Sequence, residues 1–472
     1  MAAEPTDLDR ILDDLYPYRR TTTTYHRIPE HPADRTEILA QVSDMAHRED
    51  AQGDAGRVSG SLYSGDHEHY RFLGEVFTQF AHANVLQRDM YPSATKFEAE
   101  IVAMAVSMLH GDDLPTPACG VLTGGGSESL ITALYSYREQ AREVRGVRAP
   151  NIVIPVTAHV ALDKGAHWMG IEVRKAPLAD DFTVDVPAVD RLIDENTIAI
   201  VGSAGDYGHG LIDPIEELGA LAQSRGIGLH VDGCLGGFIL PWAERLGYDV
   251  PHWDFRVPGV TTISADTHKY GYALKGTSTL LYRDRELRAR QWFSVTDWPG
   301  GLYLSPGFQG SRSGGLIAST WAAMVTIGES GYLTRAEAIL RTNDTIKQGI
   351  REHIPQLQII GDPLFMTSFR SDEIDVYLVN DALKERGWRM NSLHLPPALH
   401  FCITGPNATH DIAEAFLHDL AAAVDYAIEH RGTPASSGAM YGFAGTTEGT
   451  AMLTAAMGGV LDAMYAVAPE ST

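Results

Sequence analysis

The chain has 472 residues, 44% hydrophobic and 21% charged, and its 37 Lys+Arg against 61 Asp+Glu give a formal charge of -24. That length implies one large domain and at least one smaller one, and that charge repels nucleic-acid phosphates and anionic lipid surfaces, so any bound anion needs a local pocket. Cys119, Cys234 and Cys402 lie far apart and form no CxxC pair, which excludes a disulfide framework and a zinc knuckle and points to a reducing, cytoplasmic setting with no metal site.

The N-terminal "MAAEPTDLDRILDDLYPYRR" has no basic stretch followed by an apolar run, and about eighteen consecutive apolar residues occur nowhere, so neither a signal peptide nor a membrane span is expected. Residues 1–55 read as an N-terminal segment, 56–330 as a large domain that holds the ligand, and 331–472 as a small C-terminal domain.

From about residue 120 to 285, short β-rich runs alternate with helical patterns: "NIVIPV" (151–156), "TIAIVGSA" (197–204), "GIGLHVDGC" (226–234), "TTISAD" (261–266) and "TSTLLYRD" (277–284). Near-continuous apolar strands separated by helices predict an α/β domain, its mostly parallel sheet sandwiched by helices. In "SESLITALYSYREQARE", Leu130, Ala133, Leu134 and Tyr137 recur at helical spacing just after "TGGGS".

The region from about 285 to 315 contains "VTDWPGGLYLSPGFQGSRSGG", dense in Gly, Pro and aromatics, and reads as a long functional loop. Helices over 316–353 follow, then "QIIGDP", "FMTSFR", "IDVYLVNDALKERGW" and "ALHFCIT", an α+β pattern.

Three strand ends could carry chemistry. In "GVLTGGGSESL" (120–130), Gly125, Gly126 and Ser127 either form a phosphate cradle at a helix N-terminus or a plain tight turn. The dinucleotide fingerprint fails there, because Ser129 occupies its third glycine position. In "HVDGCLGGF" (230–238), Asp232 ends a strand, as a ligand-facing acid or a helix cap. Lys269 in "SADTHKYG" is either a surface charge or a nucleophilic amine. Cradle, acid and lysine together match what pyridoxal 5'-phosphate requires: a phosphate cup, a partner for the pyridine nitrogen, and an amine for the aldehyde. His159, just past "NIVIPV", fits as a ring-stacking residue.

At these motifs the chain resembles the fold-type I enzymes of the group II pyridoxal-phosphate-dependent decarboxylase superfamily, and within it the sphingosine-1-phosphate lyases. The most specific pieces are "GRVSGSLYSGD" (56–66), "TAHVALDKGAHWMG" (157–170), "HVDGCLGGF", "ISADTHKYGYALKG" (263–276), "TDWPGGLYLSPGFQGSRSGG" (296–315) and "LKERGWRMNSLHLPPALHFCIT" (383–404). The resemblance implies that Lys269 bonds the cofactor, His159 covers its ring, Asp232 meets the ring nitrogen, and Gly126, Ser127 and His268 contact its phosphate. It implies that Gly310 and Ser311 reach the cofactor phosphate of a neighbouring subunit in a homodimer with shared active sites. Lys275 and Tyr63 correspond to residues that hold a substrate phosphate, and Asn84 lies in the segment that completes the site.

Two stretches depart from the lyase pattern. "NVLQRD" (84–89) has Gln87 where a histidine is expected, and a neutral amide adds no charge. "GSAGDYGHGLIDP" (202–214) keeps Tyr207 but brings in Asp206 and His209. The expected reaction is retro-aldol cleavage of a β-hydroxy amine, phosphorylated or not, into an aldehyde and an amine such as phosphoethanolamine, with Tyr207, His209 or Lys269 as base. The alternative is an amino-acid α-decarboxylase in which Arg312, Lys275 or His209 receives the substrate carboxylate. A third reading, a dimeric interaction module without catalysis, conflicts with the intact Lys269, Asp232 and His159.

Overall fold

A computed structural model of the chain describes residues 16–18, 21–408, 410–436 and 457–467. Residues 1–15 of the expected N-terminal segment, and parts of the expected C-terminal domain (437–456 and 468–472), lie outside the described residues.

The central sheet has seven strands: β1 (Cys119–Thr123), β2 (Asn151–Pro155), β3 (Glu172–Ala176), β4 (Thr197–Ser203), β5 (Gly228–Asp232), β6 (Thr262–Ala265) and β7 (Ser278–Tyr282), in the order β1-β7-β6-β5-β4-β2-β3. Strands β2 to β6 pair in parallel, whereas β7 runs antiparallel to both β6 and β1. Two reversals return β1 to the direction of β6. The C-terminal ends of β1, β2, β4, β5 and β6 therefore share one edge of the sheet, where ligands of open α/β sheets bind.

The inner strands are buried along their whole length, which is why they carry unbroken apolar runs instead of alternation. Side chains such as Leu229, Ile263 and Leu281 are fully buried, and each contributes about 1.5–3 kcal/mol relative to exposure. The helices Gly126–Gln140 and Ile215–Arg225 pack against this sheet.

The region from 285 to 315 differs from the loop expected there. It holds a short helix, Arg285–Ala289, and a hairpin of β8 (Phe293–Trp298) and β9 (Gly301–Ser305). Tyr303 lies 6.4 Å from both the Phe293 and Trp298 rings. Alternation in "FSVTDW" and "GLYLS" is the signal that the density of Gly and Pro obscured. Besides the hairpin turn, residues 290–292 and 306–313 remain irregular.

The helix Gly314–His353 follows, broken at Gly328, whose φ of 61° suits a residue without Cβ. It leads to an antiparallel sheet of β10 (Gln358–Ile359), β11 (Met366–Arg370), β12 (Asn391–Leu393) and β13 (Ala398–Cys402), ordered β10-β11-β13-β12. Residues 58–60 run along this small sheet: Ser59 N donates to Arg389 O and Gly60 N to Cys402 O. The stretch that leads to Tyr63 is thus anchored there.

Candidate active site

The Gly-rich turn after β1 opens directly into the helix Gly126–Gln140, and no side chain caps that helix. Its first N–H groups and the positive end of its dipole face a cavity of about 480 Å³ lined by Gly124–Glu128, His159, Cys234, Asp266, His268 and Lys269. Gly125 has φ 143°, a backbone only glycine adopts freely. At Gly126 a Cβ would stand 2.7 Å from the Asp266 carboxylate and 2.9 Å from Cys234 Sγ. The cradle is shaped to admit something other than a side chain.

Lys269 lies just past β6 with Nζ 3.1 Å from Asp266 Oδ2, and Asp266 is 2% exposed on its side chain. Burial is the largest single influence and opposes the ammonium, but Asp266 first, with Cys234, Tyr63 and Asp232, together outweigh it and the net direction of the Lys269 pKa is upward. Asp266 Oδ1 is buried without a hydrogen-bond partner. His268 Nε2 lies 3.5 Å from the same carboxylate; burial, with Lys275 and Lys269 nearby, lowers its pKa.

Asp266 is the site residue the sequence reasoning passed over. Its signal was present: like Asp232 it is an acid at the end of a buried strand, three residues before the lysine. Asp232 ends β5, and its Oδ1 accepts from Cys234 N (3.0 Å) and Ser264 Oγ (3.3 Å). Behind it stands His230, fully buried, its pKa lowered by burial to about 4, with Nδ1 2.7 Å from Thr262 Oγ1.

His159 lines the cavity from the end of β2, and its Nδ1 accepts from Ala161 N at 3.1 Å. Tyr207, beyond β4, stands edge-on to His159 with ring centroids 6.3 Å apart. Lys275 Nζ lies 4.6 Å from the centre of the Tyr63 ring and 3.4 Å from His268 O. Burial of its ammonium, and the repulsion of Lys269, lower its pKa to about 8.

Other expected site residues fall elsewhere. His209 is buried against Phe182 and does not line the cavity, and burial lowers its pKa. Its neighbour Asp206 accepts the backbone N–H groups of Gly208, His209 and Leu211, and so organises the loop instead of facing a substrate. Arg312 forms a bidentate pair with the buried Glu98 (2.8 and 2.9 Å) and donates to Leu122 O. Asn84 buttresses the same loop: its Nδ2 donates to Ser311 Oγ (3.0 Å) and its Oδ1 accepts from Arg312 N. Gln87 is exposed, and Gln87, Gly310 and Ser311 do not line the cavity of their own chain.

Comparison with known proteins agrees with this geometry. A family model described as the pyridoxal-dependent decarboxylase conserved domain matches residues 23–360. The chain is 42% identical to the sphingosine-1-phosphate lyase of Arabidopsis thaliana over 87% of this chain and 76% of that protein. With sphingosine-1-phosphate lyase 1 of Rattus norvegicus the identity is 38%, over 94% and 77%. Among solved structures, a sphingosine-1-phosphate lyase of Burkholderia pseudomallei superposes with a TM-score of 0.89 at 46% identity, covering 96% of this chain and 99% of that one. Glutamate decarboxylase of Lactobacillus brevis, at 21% identity, shares the fold with a TM-score of 0.73.

Proposed function

The chain belongs to the sphingosine-1-phosphate lyase branch of the pyridoxal-dependent decarboxylase family, and from that premise we propose that it cleaves the Cα–Cβ bond of a phosphorylated β-hydroxy amine of the sphingoid type, releasing an aldehyde and phosphoethanolamine. The observation that carries this reading is the pair of lysines in one short stretch. Lys269 lines the cavity at the Gly-rich turn, and Lys275, over Tyr63, offers a second cation close enough to repel it.

The residues fit pyridoxal 5'-phosphate, since a cradle that a Cβ would fill meets Lys269, His159 and Asp266, with Asp232 hydrogen-bonded to the lining residue Cys234 and close enough to act on Lys269. Gly126, Ser127 and His268 would hold its phosphate, Asp232 its ring nitrogen, His159 its ring face and Lys269 its aldehyde carbon. When bound, the cofactor supplies the carbonyl for the substrate amine and the sink for the electrons of the broken bond.

The rest is the work of side chains. Lys275, held over the Tyr63 ring, binds the substrate phosphate and so orients the β-hydroxyl. Tyr207, exposed beside His159, receives the β-hydroxyl proton as it passes its own phenol proton to the Lys269 amine, and Lys269 returns that proton to the carbon left behind. Burial of Asp266 under this group keeps a fixed negative charge where Lys269 carries its proton.

The hairpin β8–β9 and its flanks expose Trp292, Phe293, Trp298, Leu302, Leu304 and Phe308, an apolar surface of the kind that a partner covers. A homodimer that buries it would bring Gly310, Ser311 and Gln87 to the neighbouring cavity. No helix among the described residues is long and apolar enough to cross a membrane. The three free, buried thiols support a cytoplasmic setting.

The test is a substrate screen on purified protein. Dihydrosphingosine phosphate is expected to yield phosphoethanolamine, with no CO2 from α-amino acids. Release of CO2 without phosphoethanolamine would make it a decarboxylase.

A further inference from the structure

The loop that carries Tyr207 belongs to the large sheet, yet it is held from the small one. The carbonyl of Gly208, the next residue, accepts two hydrogen bonds: from Ser368 Oγ on β11 at 2.8 Å and from His400 Nδ1 on β13 at 3.0 Å. Both donors are buried, Ser368 completely and His400 to 1% exposure. The His400 ring also meets the Tyr207 ring edge-on, with centroids 5.1 Å apart, and Tyr207 in turn meets His159.

His400 is fixed on both nitrogens. Its Nε2 lies 2.9 Å from Asn391 Nδ2, which also donates to Ser59 Oγ at 3.0 Å. Because the amide nitrogen can only donate, Nε2 accepts and the ring proton sits on Nδ1, aimed at Gly208 O. Burial lowers the pKa of His400 to about 4, so this neutral form persists through the neutral range. Within the loop, the Asp206 carboxylate ties Gly208, His209 and Leu211 together. Tyr207 is therefore a 53% exposed ring standing on a rigid, buried base.

Packing alone does not require this arrangement, since an apolar residue at position 400 would fill the space without a polar group to desolvate. A buried histidine with every polar atom satisfied costs more to place and in return specifies one geometry.

We propose that His400, with Ser368, is the positioning residue that holds Tyr207 beside the cavity residue His159, so that the small sheet sets the geometry of the reaction. This rests on the reading of Tyr207 as the acceptor of the β-hydroxyl proton. The route is mechanical: the donor fixes Gly208 O, Gly208 O fixes the loop, and the loop fixes the ring relative to His159.

The experiment is a double-mutant cycle combined with a structural probe. In full-length enzyme with cofactor, His400→Phe is expected to lower kcat by about tenfold to a hundredfold with little change in KM, and Ser368→Ala by a few-fold. His400→Asn, whose amide nitrogen can take the place of Nδ1, restores most of the loss. In a Tyr207→Phe background His400→Phe costs nothing further. The same loss in both backgrounds would overturn the proposal, because His400 would then act without Tyr207.

The probe is 3-fluorotyrosine at position 207, read by fluorine NMR at equal fractions folded. One sharp resonance is expected in the parent, and a shifted or broadened one in His400→Phe and in Ser368→Ala. An unchanged resonance in both variants refutes positioning. If the resonance changes while Tyr207→Phe keeps full activity, the clamp stands and the role of Tyr207 in the reaction falls.

Discussion

Lys269 and Lys275 sit six positions apart in one turn-rich stretch, and their surroundings are opposite. Lys269 faces a buried carboxylate at 3.1 Å, which with Cys234, Tyr63 and Asp232 holds its ammonium charged despite burial. Lys275 lies over an aromatic ring, and burial first, then the neighbouring Lys269, lowers its pKa to about 8. A lysine paired with an internal acid has its charge compensated by the protein. One above a ring with a cation beside it is left to find its anion in a ligand.

Removing Lys269 tests the contrast most strongly. Lys269→Ala is expected to lower turnover by about a thousandfold or more and to abolish borohydride-trappable attachment of pyridoxal phosphate. Retained attachment at another residue would overturn the assignment of the two lysines.

Asp266→Asn takes away the compensating charge while keeping the volume. With less to stabilise the ammonium, more of Lys269 is neutral at a given pH. Attachment of pyridoxal phosphate, followed by absorbance, should then shift to lower pH and run on the order of tenfold faster near neutrality. Slower attachment would mean that Asp266 is needed to take up the proton, and the contrast would have to be redrawn around that role.

For Lys275 the sign follows from its lowered pKa of about 8. Below that value it is charged and binds a phosphate, and above it the charge is lost. The ratio kcat/KM for a phosphorylated amine is expected to fall about tenfold per pH unit above that point. Lys275→Arg should carry the plateau to higher pH, because guanidinium keeps its proton. Lys275→Met should cost about a hundredfold in kcat/KM at neutral pH and little in kcat. Equal losses with an unphosphorylated amine would separate Lys275 from the phosphate.

The same contrast shows what was legible in the sequence. Buried parallel strands announce themselves by unbroken apolar runs, so the edge carrying the Gly124–Ser127 turn, His159, Asp232 and Lys269 could be placed from spacing and strand order. The hairpin at β8–β9 was hidden because Gly and Pro density outweighed a weak alternation. The internal partners of Arg312 and His209 were not legible, because whether such a residue faces a cavity or the interior depends on residues distant in the chain, such as Glu98 and Phe182. Asp266 shared every local feature of Asp232, and only the fold distinguishes an acid beside the lysine from one beside Ser264 and His230. The clamp on Gly208 joins residues about 160 and 190 positions apart, a contact no local pattern encodes.

The smallest expected effect concerns Gln87, which lies exposed and outside the cavity of its own chain. If the homodimer brings it to the neighbouring site, Gln87→His adds a group that is charged below about pH 6.5 and neutral above it. KM for the phosphorylated amine should then fall about three- to tenfold at pH 6, with the gain fading by pH 7.5 and kcat nearly constant. Leu302→Glu with Leu304→Glu, placed on the exposed hairpin, should yield monomers by sedimentation and erase that gain, since a monomer cannot present residue 87 to its own cavity. A gain that survives in monomers would put residue 87 within reach of Lys275 in the same chain. The second anion contact would then belong to one subunit, and the division between a cofactor lysine and a substrate lysine would be complete without a partner.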